Sequence, residues 1–286
     1  MKKLLFFLLA ATYAVCLVAP TYGAEEIFPL RAKWPKLVPI STQELDEAQS
    51  SGRAVIIDVR TPAEFDVMQI KGSHNIIAVD IMWQSEVFQK LMEGRPDPLL
   101  VFYCNGVDCT KSYKAAETAV SLGFQNVRVY DAGIFDWARN YPERTVFFGK
   151  AMTKASLSKL LISDDELGKR LVDTDLFLKM AQSGKYAVVD IRDPRERVEH
   201  PIEFPNIKQA PLDAFVLYLE TGVIPRESIL LLDNVGRQVI WAHYYLKKHM
   251  CRDYYFLRGG VKQWQEDGFD SKANKLGKVF GPPPTP

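Results

Sequence analysis

The sequence predicts an α/β protein made of two tandem copies of one unit, each a mainly parallel sheet flanked by helices. Three observations carry this. A chain of 286 residues exceeds one ordinary domain and fits two. Helix-type and strand-type segments alternate along it, which leads to parallel sheets covered on both faces. An internal repeat is the third. Val55-Ile56-Ile57-Asp58-Val59-Arg60-Thr61-Pro62-Ala63-Glu64 matches Ala187-Val188-Val189-Asp190-Ile191-Arg192-Asp193-Pro194-Arg195-Glu196 at an offset of 132. Phe102-Tyr103-Cys104 aligns with Leu231-Leu232-Asp233 at an offset of 129, and Gly133-Ile134-Phe135-Asp136-Trp137 with Gly260-Val261-Lys262-Gln263-Trp264 at 127. A nearly constant period over three segments marks duplication.

The elements follow in order. Met1-Lys2-Lys3 ahead of the apolar run Leu4 to Leu17, with small residues near Gly23 and Ala24, reads as a secretory signal peptide over residues 1–23. The run is short for a membrane span. Tyr13-Ala14-Val15 lacks the small residue wanted ahead of a lipidated Cys16. A periplasmic or secreted protein is therefore expected. A first domain is expected over residues 38–145. It opens with the capping-box pattern Ser41-Thr42-Gln43-Glu44 and a β-branched strand Ala54 to Val59. Pro62 suits a helix first turn. A helix near Trp83 to Met92, a strand Leu99 to Tyr103, a helix Lys111 to Leu122, a strand Val127 to Tyr130 and a short helix Gly133 to Asn140 complete it. Ala115, Ala116, Ala119 and Val120 are expected on one buried face of the Lys111 helix. A polar linker is expected over 146–171, partly helical through Leu157 to Leu161. The second domain, 172–274, repeats the order with strands near Val188, Ile229 and Tyr254, and residues 275–286 form a Pro-rich tail.

Composition narrows the function. Loss of Lys2 and Lys3 with the signal leaves 34 basic residues against 35 acidic, without a basic block. Nucleic acid and anionic membrane are thereby excluded as main partners. Cys104, Cys109 and Cys251 remain, too few for a disulfide framework. Export would place them in an oxidising compartment. Cys251 follows the expected Trp241 to Met250 helix and reads as an inert, partly buried thiol. Cys104 is different, because it ends a buried strand and opens a tight loop into a helix. Backbone N–H groups of such a loop point inward, and the helix N-terminus adds positive potential. That setting lowers a thiol pKa and holds an anionic sulfur species. No metal and no cofactor are expected.

These segments together resemble the rhodanese family of sulfurtransferases in a tandem-domain form. Asp58-Val59-Arg60 with Glu64-Phe65 resembles the family's D-V-R-x-x-x-E-[FY] pattern. Ile70 to Ile76 resembles the tail of its G-H-I-P-G-A-x-N-I segment, with Met68 and Gln69 in place of Gly-His. Gly133 to Trp137 resembles its closing G-G-x-x-x-W helix. The resemblance implies that Cys104 takes sulfane sulfur from thiosulfate or a related donor, becomes a persulfide, and passes the sulfur to cyanide or a thiol. A protein sulfur partner is compatible with the same chemistry. Asn105, Gly106, Val107, Asp108, Cys109 and Thr110 would form the cradle of N–H groups, with Lys111 where the family carries Arg. Against the common C-x-x-G-x-R-S loop, two extra residues are counted before Ser112. Arg60 is expected to pair with Glu64, Asp58 to cap the loop, and His74 to be structural.

Two other classes compete. A non-catalytic binding or thiol–disulfide redox protein would use Cys104 and Cys109 as a reversible disulfide. Phosphatases and arsenate reductases among the relatives use C-x-x-x-x-x-R, but no Arg lies between Cys104 and Arg128 to hold an oxyanion. Cys109 is expected to resolve oxidised or persulfidated Cys104, provided the loop brings their Cα atoms within about 7 Å. In the second domain Asp233 stands where the cysteine should be. That copy is expected to be catalytically silent, its carboxylate filling the cradle with a depressed pKa.

Overall fold

In the computed structural model, residues 28–202 and 206–268 are described. The signal peptide assigned to 1–23 and the tail over 275–286 lie outside the described residues. In the first unit the chain runs β1 (Val38–Pro39), α1 (Thr42–Ser50), β2 (Ala54–Asp58), α2 (Pro62–Val67), β3 (Met68–Ile70), β4 (His74–Asn75), α3 (Ser85–Met92), β5 (Leu99–Tyr103), α4 (Thr110–Ser121), β6 (Val127–Tyr130) and α5 (Gly133–Asn140). The sheet order is β1-β6-β5-β2-β4, all parallel. Every residue of β2 and β5 is buried, which is why both read as continuous apolar runs rather than alternating ones. Helices α1 and α2 start at full capping boxes, Ser41 with Glu44 and Thr61 with Glu64.

Helix α4 buries Ser112, Ala115, Ala116 and Ala119 against the sheet, whereas Val120 is 47% exposed. Val120 lies about 100° round from Ala119, past the edge of the i, i+3, i+4, i+7 stripe. The expected linker is structured. It holds β7 (Thr145–Phe147), β8 (Lys150–Ala151), α6 (Leu157–Leu160) and α7 (Asp164–Gly168). Strands β3, β7 and β8 form an antiparallel three-stranded sheet, and Met152 and Ile162 are buried. Polar residues there face outward while a few apolar ones anchor the segment.

The second unit runs β9 (Leu171–Val172), α8 (Thr174–Gln182), β10 (Ala187–Asp190), α9 (Pro194–Glu199), β11 (Lys208–Gln209), α10 (Leu212–Glu220), β12 (Ile229–Leu232), α11 (Val239–Lys248), β13 (Tyr254–Leu257) and α12 (Gly260–Glu266). Its order, β11-β10-β12-β13-β9, is the first sheet's order with each strand replaced by its repeat partner. Two similarly built parallel sheets flanked by helices bear out the expected tandem α/β architecture. The units share a core. One apolar cluster runs from Ile134 and Trp137 to Trp241, Tyr244 and Tyr245. Phe135 stacks on Trp241 with ring centroids 5.1 Å apart. The Ala63 N–H donates to the Asp213 carboxylate at 2.7 Å, and the Tyr245 hydroxyl donates to the Ala63 carbonyl at 2.9 Å.

Candidate functional site at the domain cleft

Strand pairing brings the site together. The β2–β5 register sets Asp58 opposite Tyr103, so the Asp58-Val59-Arg60 turn and the Cys104 loop leave the sheet side by side at its carboxyl end. Cys104 is 1% exposed, and its carbonyl accepts from the Ile134 N–H at 3.0 Å. The second copy repeats this contact, with the Val261 N–H donating to the Asp233 carbonyl at 2.8 Å. In both copies a glycine opens the closing helix because the loop lies directly on it. A Cβ on Gly133, whose φ is +75°, would sit 2.4 Å from the Gly106 nitrogen. A Cβ on Gly260 would sit 2.6 Å from the Asp233 carbonyl oxygen.

The loop is not lengthened. Helices α4 and α11 are N-capped by Cys109 and Gln238, each five residues beyond Cys104 and Asp233. The two extra residues counted before Ser112 are therefore helical. Cys109 stands at the place of the family's Arg, Thr110 at the place of its Ser, and Lys111 one residue further into α4. Cys104 and Cys109 form a disulfide with Cα atoms 6.4 Å apart. Cys251 is the free cysteine among the described residues, and burial raises its thiol pKa. The Cys109 N–H donates to the Gly106 carbonyl at 2.9 Å, so this amide closes the turn instead of facing Cys104.

Arg60 pairs with Asp58, not Glu64. Its guanidinium is fully buried and holds both Asp58 oxygens, Nε to Oδ1 at 2.9 Å and Nη2 to Oδ2 at 2.5 Å. Asp58 is spent on this pair and on the Arg60 N–H, so it does not cap the loop. Arg192 and Asp190 repeat the pair in the second unit, Nε to Oδ1 at 2.9 Å. An Arg two residues after a strand-end Asp curls back onto it, so the expected pairing with Glu64 is replaced by one with Asp58. Burial opposes the Arg60 charge, but Asp58 raises its pKa above the ordinary value. Glu64 instead accepts from the Asn105 side-chain amide at 2.8 Å, tying the loop to α2. His74 is half-buried on β4, and burial lowers its pKa.

The loop faces a cleft of about 530 Å³ between the units. Asn105, Gly106, Val107, Asp108, Cys109, Thr110 and Lys111 all line it, while Cys104 lies beneath them. The opposite wall is the second unit's own loop, Asp233 to Gln238, with Glu196 and Trp241. Arg237 crosses the gap and donates to the Asp108 carbonyl at 3.2 Å, with its Nη2 also 3.3 Å from the Asp108 carboxylate. Burial raises the Glu196 pKa and neighbouring Asp193 adds to this, while Lys111 pulls it down. Asp233 fills its own cradle. It accepts from the Gly236 and Gln238 N–H groups, both at 2.6 Å, and from Val239 at 3.4 Å. Its pKa is nevertheless raised, not depressed. Complete burial costs the charge more than these hydrogen bonds return. Arg237, Glu196 and Trp241 were not singled out from the sequence. The repeat placed Arg237 in a loop equivalent to that of Cys104, but only domain docking turns one loop toward the other.

The family described as Rhodanese-like domain matches residues 41–140, the segment that holds α1, the Cys104 loop and α5. Residues 41–140 are thus a rhodanese-like domain. The human single-domain sulfurtransferase TSTD1 is 30% identical over 35% of this chain and 93% of its own, with a TM-score of 0.30. The BH2092 protein from Bacillus halodurans is 21% identical over 49% of this chain and 96% of its own, TM-score 0.35. The thiosulfate sulfurtransferase from Pseudomonas aeruginosa is 16% identical over 81% of this chain and 43% of its own, TM-score 0.38. Among curated proteins there is no match. The rhodanese-like domain and its structural repeat thus face each other across the cleft, loop to loop.

Proposed function

We propose that the protein is a sulfurtransferase that carries sulfane sulfur on Cys104. The observation that supports this best is the position of Cys104. It joins the carboxyl end of β5 to the N-terminus of α4, at the base of a cleft. With the disulfide reduced, the Cys104 thiolate attacks the outer sulfur of thiosulfate or a related anionic donor. The donor's S–S bond breaks, sulfite leaves with the electron pair, and Cys104 holds a persulfide. A thiol or cyanide then attacks the terminal sulfur and returns the thiolate. The helix N-terminus and loop amides favour the anionic sulfur at each stage. Lys111 and Arg237 attract the donor into the cleft. We assign the domain 38–145 as catalytic and the domain 172–274 as non-catalytic, because a carboxylate at Asp233 cannot hold sulfane sulfur. Residues 1–23 are assigned to export, giving a periplasmic or secreted protein.

The assay is thiocyanate formation from thiosulfate and cyanide, on protein reduced beforehand. Cys104→Ser is expected to abolish it entirely, the second domain supplying no residual rate. Cys251→Ser is expected to retain it. Intact mass of the Cys109→Ser variant after thiosulfate alone should show one added sulfur, on the Cys104 peptide. Equal thiocyanate rates in wild type and Cys104→Ser would overturn the assignment. The Cys104–Cys109 disulfide favours a second reading, thiol–disulfide exchange without sulfur uptake. It requires that thiosulfate leave the mass of Cys109→Ser unchanged.

A further inference from the structure

We propose that Cys109 is the resolving thiol of the site, so that the persulfide on Cys104 is discharged as sulfide when Cys109 closes the disulfide. The proposal rests on the reading of Cys104 as a sulfur carrier and adds a reductive outcome to it. Three observations lead here. Cys104 and Cys109 are disulfide-bonded, with Cα atoms 6.4 Å apart, inside the range such bonds need. Cys109 occupies the helix-capping position where the second copy has Gln238 and the family pattern has Arg. An anion-holding side chain is thus exchanged for a second thiol, in a loop of unchanged length. The two residues also differ in access, since Cys109 is partly exposed and lines the cleft while Cys104 is 1% exposed beneath it.

The steps balance. Transfer from thiosulfate leaves Cys104 with a terminal sulfane sulfur and releases sulfite. The Cys109 thiolate attacks Cys104 Sγ. The bond from Sγ to the terminal sulfur breaks, and that sulfur leaves with the electron pair and a proton as hydrosulfide. Two thiols have been oxidised to a disulfide, and the sulfane sulfur has been reduced to sulfide. A dithiol reductant must reopen the disulfide. Its thiolate attacks the sulfur of Cys109, the less buried residue of the pair, forms a mixed disulfide there, and expels Cys104 as the thiolate at the N-terminus of α4. The second thiol of the reductant then releases Cys109 and is itself oxidised. Each cycle starts with the nucleophile already ionised.

The test is a single turnover of the full-length protein, reduced with a dithiol and freed of it before thiosulfate is added. Wild type is expected to release one sulfite and one sulfide per chain and to end with both thiols lost to a Cys104–Cys109 crosslink in the peptide map. Cys109→Ser is expected to release sulfite, hold the persulfide on Cys104 and lose sulfide to background. Cys109→Ala provides a second variant should serine disturb the helix cap. A wild-type persulfide that persists with no sulfide and no crosslink would overturn the resolving role. Sulfide release by Cys109→Ser at the wild-type rate would do the same. Absence of any persulfide in both Cys109 variants would instead overturn the reading of Cys104 as sulfur carrier.

Discussion

At the residue scale, burial decides the charge states in this protein more often than hydrogen bonding does. Asp233 accepts three backbone N–H groups and still has a raised pKa. His243 makes the same point with opposite sign. It is 1% exposed on α11, its ring packed against Tyr254 and Phe256. Glu166 lies 3.8 Å from Nε2 and favours the cation, whereas Lys247 and Arg170 oppose it. Burial outweighs Glu166 and lowers the pKa to about 4. The unfolded chain, with an ordinary His pKa of about 6.5, takes up a proton that the folded chain refuses. Stability therefore falls as pH drops from about 6.5 toward 4. We expect Tm to decline across this window and the decline to be shallower in His243→Phe. Parallel Tm profiles for the two proteins would show that His243 does not contribute.

At the scale of elements, the close approach of the Cys104 loop to α5 is the most demanding feature. Gly133 must adopt φ of +75° and leave room for the Gly106 backbone. Gly149 has a similar φ of +73° with open space around its Cα. The pair separates strain from collision. Gly149→Ala should cost only the positive-φ penalty, of order 1 kcal/mol. Gly133→Ala must also push the loop away, because the atoms it meets are backbone. We expect the larger loss of stability for Gly133→Ala in urea unfolding, together with loss of thiocyanate formation. A cost equal to that of Gly149→Ala would mean that the loop yields freely.

At the scale of the whole molecule, the second unit forms the far wall of the cleft and shares the core. Arg237 is its cation nearest the Cys104 loop. Its ion pair with Asp108 is more than half exposed on both sides, so it contributes little stability, about 1 kcal/mol at most. Under the proposed sulfur transfer, its position over the Cys104 loop suits it to donor capture. Arg237→Ala is expected to raise KM for thiosulfate and to blunt the salt dependence of kcat/KM, with Tm almost unchanged. Docking through Tyr245, Asp213 and Trp241 also makes the units interdependent. Removal of either unit would bare the aromatic face between them, so the functions of both are best measured in the full chain.

The central strands of both units and several helices were legible in the sequence because their signals are local. Leu99–Tyr103, Val127–Tyr130 and Gly133–Asn140 follow from apolar runs, β-branching and glycine punctuation, which depend only on neighbours in the chain. The duplication was legible for the same reason. Pairing and exposure were not. Arg60 chose Asp58 over Glu64 because the backbone turns back at the strand end, a matter of dihedral angles rather than spacing. The loop length was misread because the start of α4 has no capping Ser, Thr, Asp or Asn to mark it; Cys109 sits there without a side-chain cap. The stretch after Asn140 read as linker because its few buried residues, Met152 and Ile162, form no periodic pattern. Arg237 reached the site only through docking of the second unit. Local preference determines which segments form, and long-range packing determines which of their side chains meet.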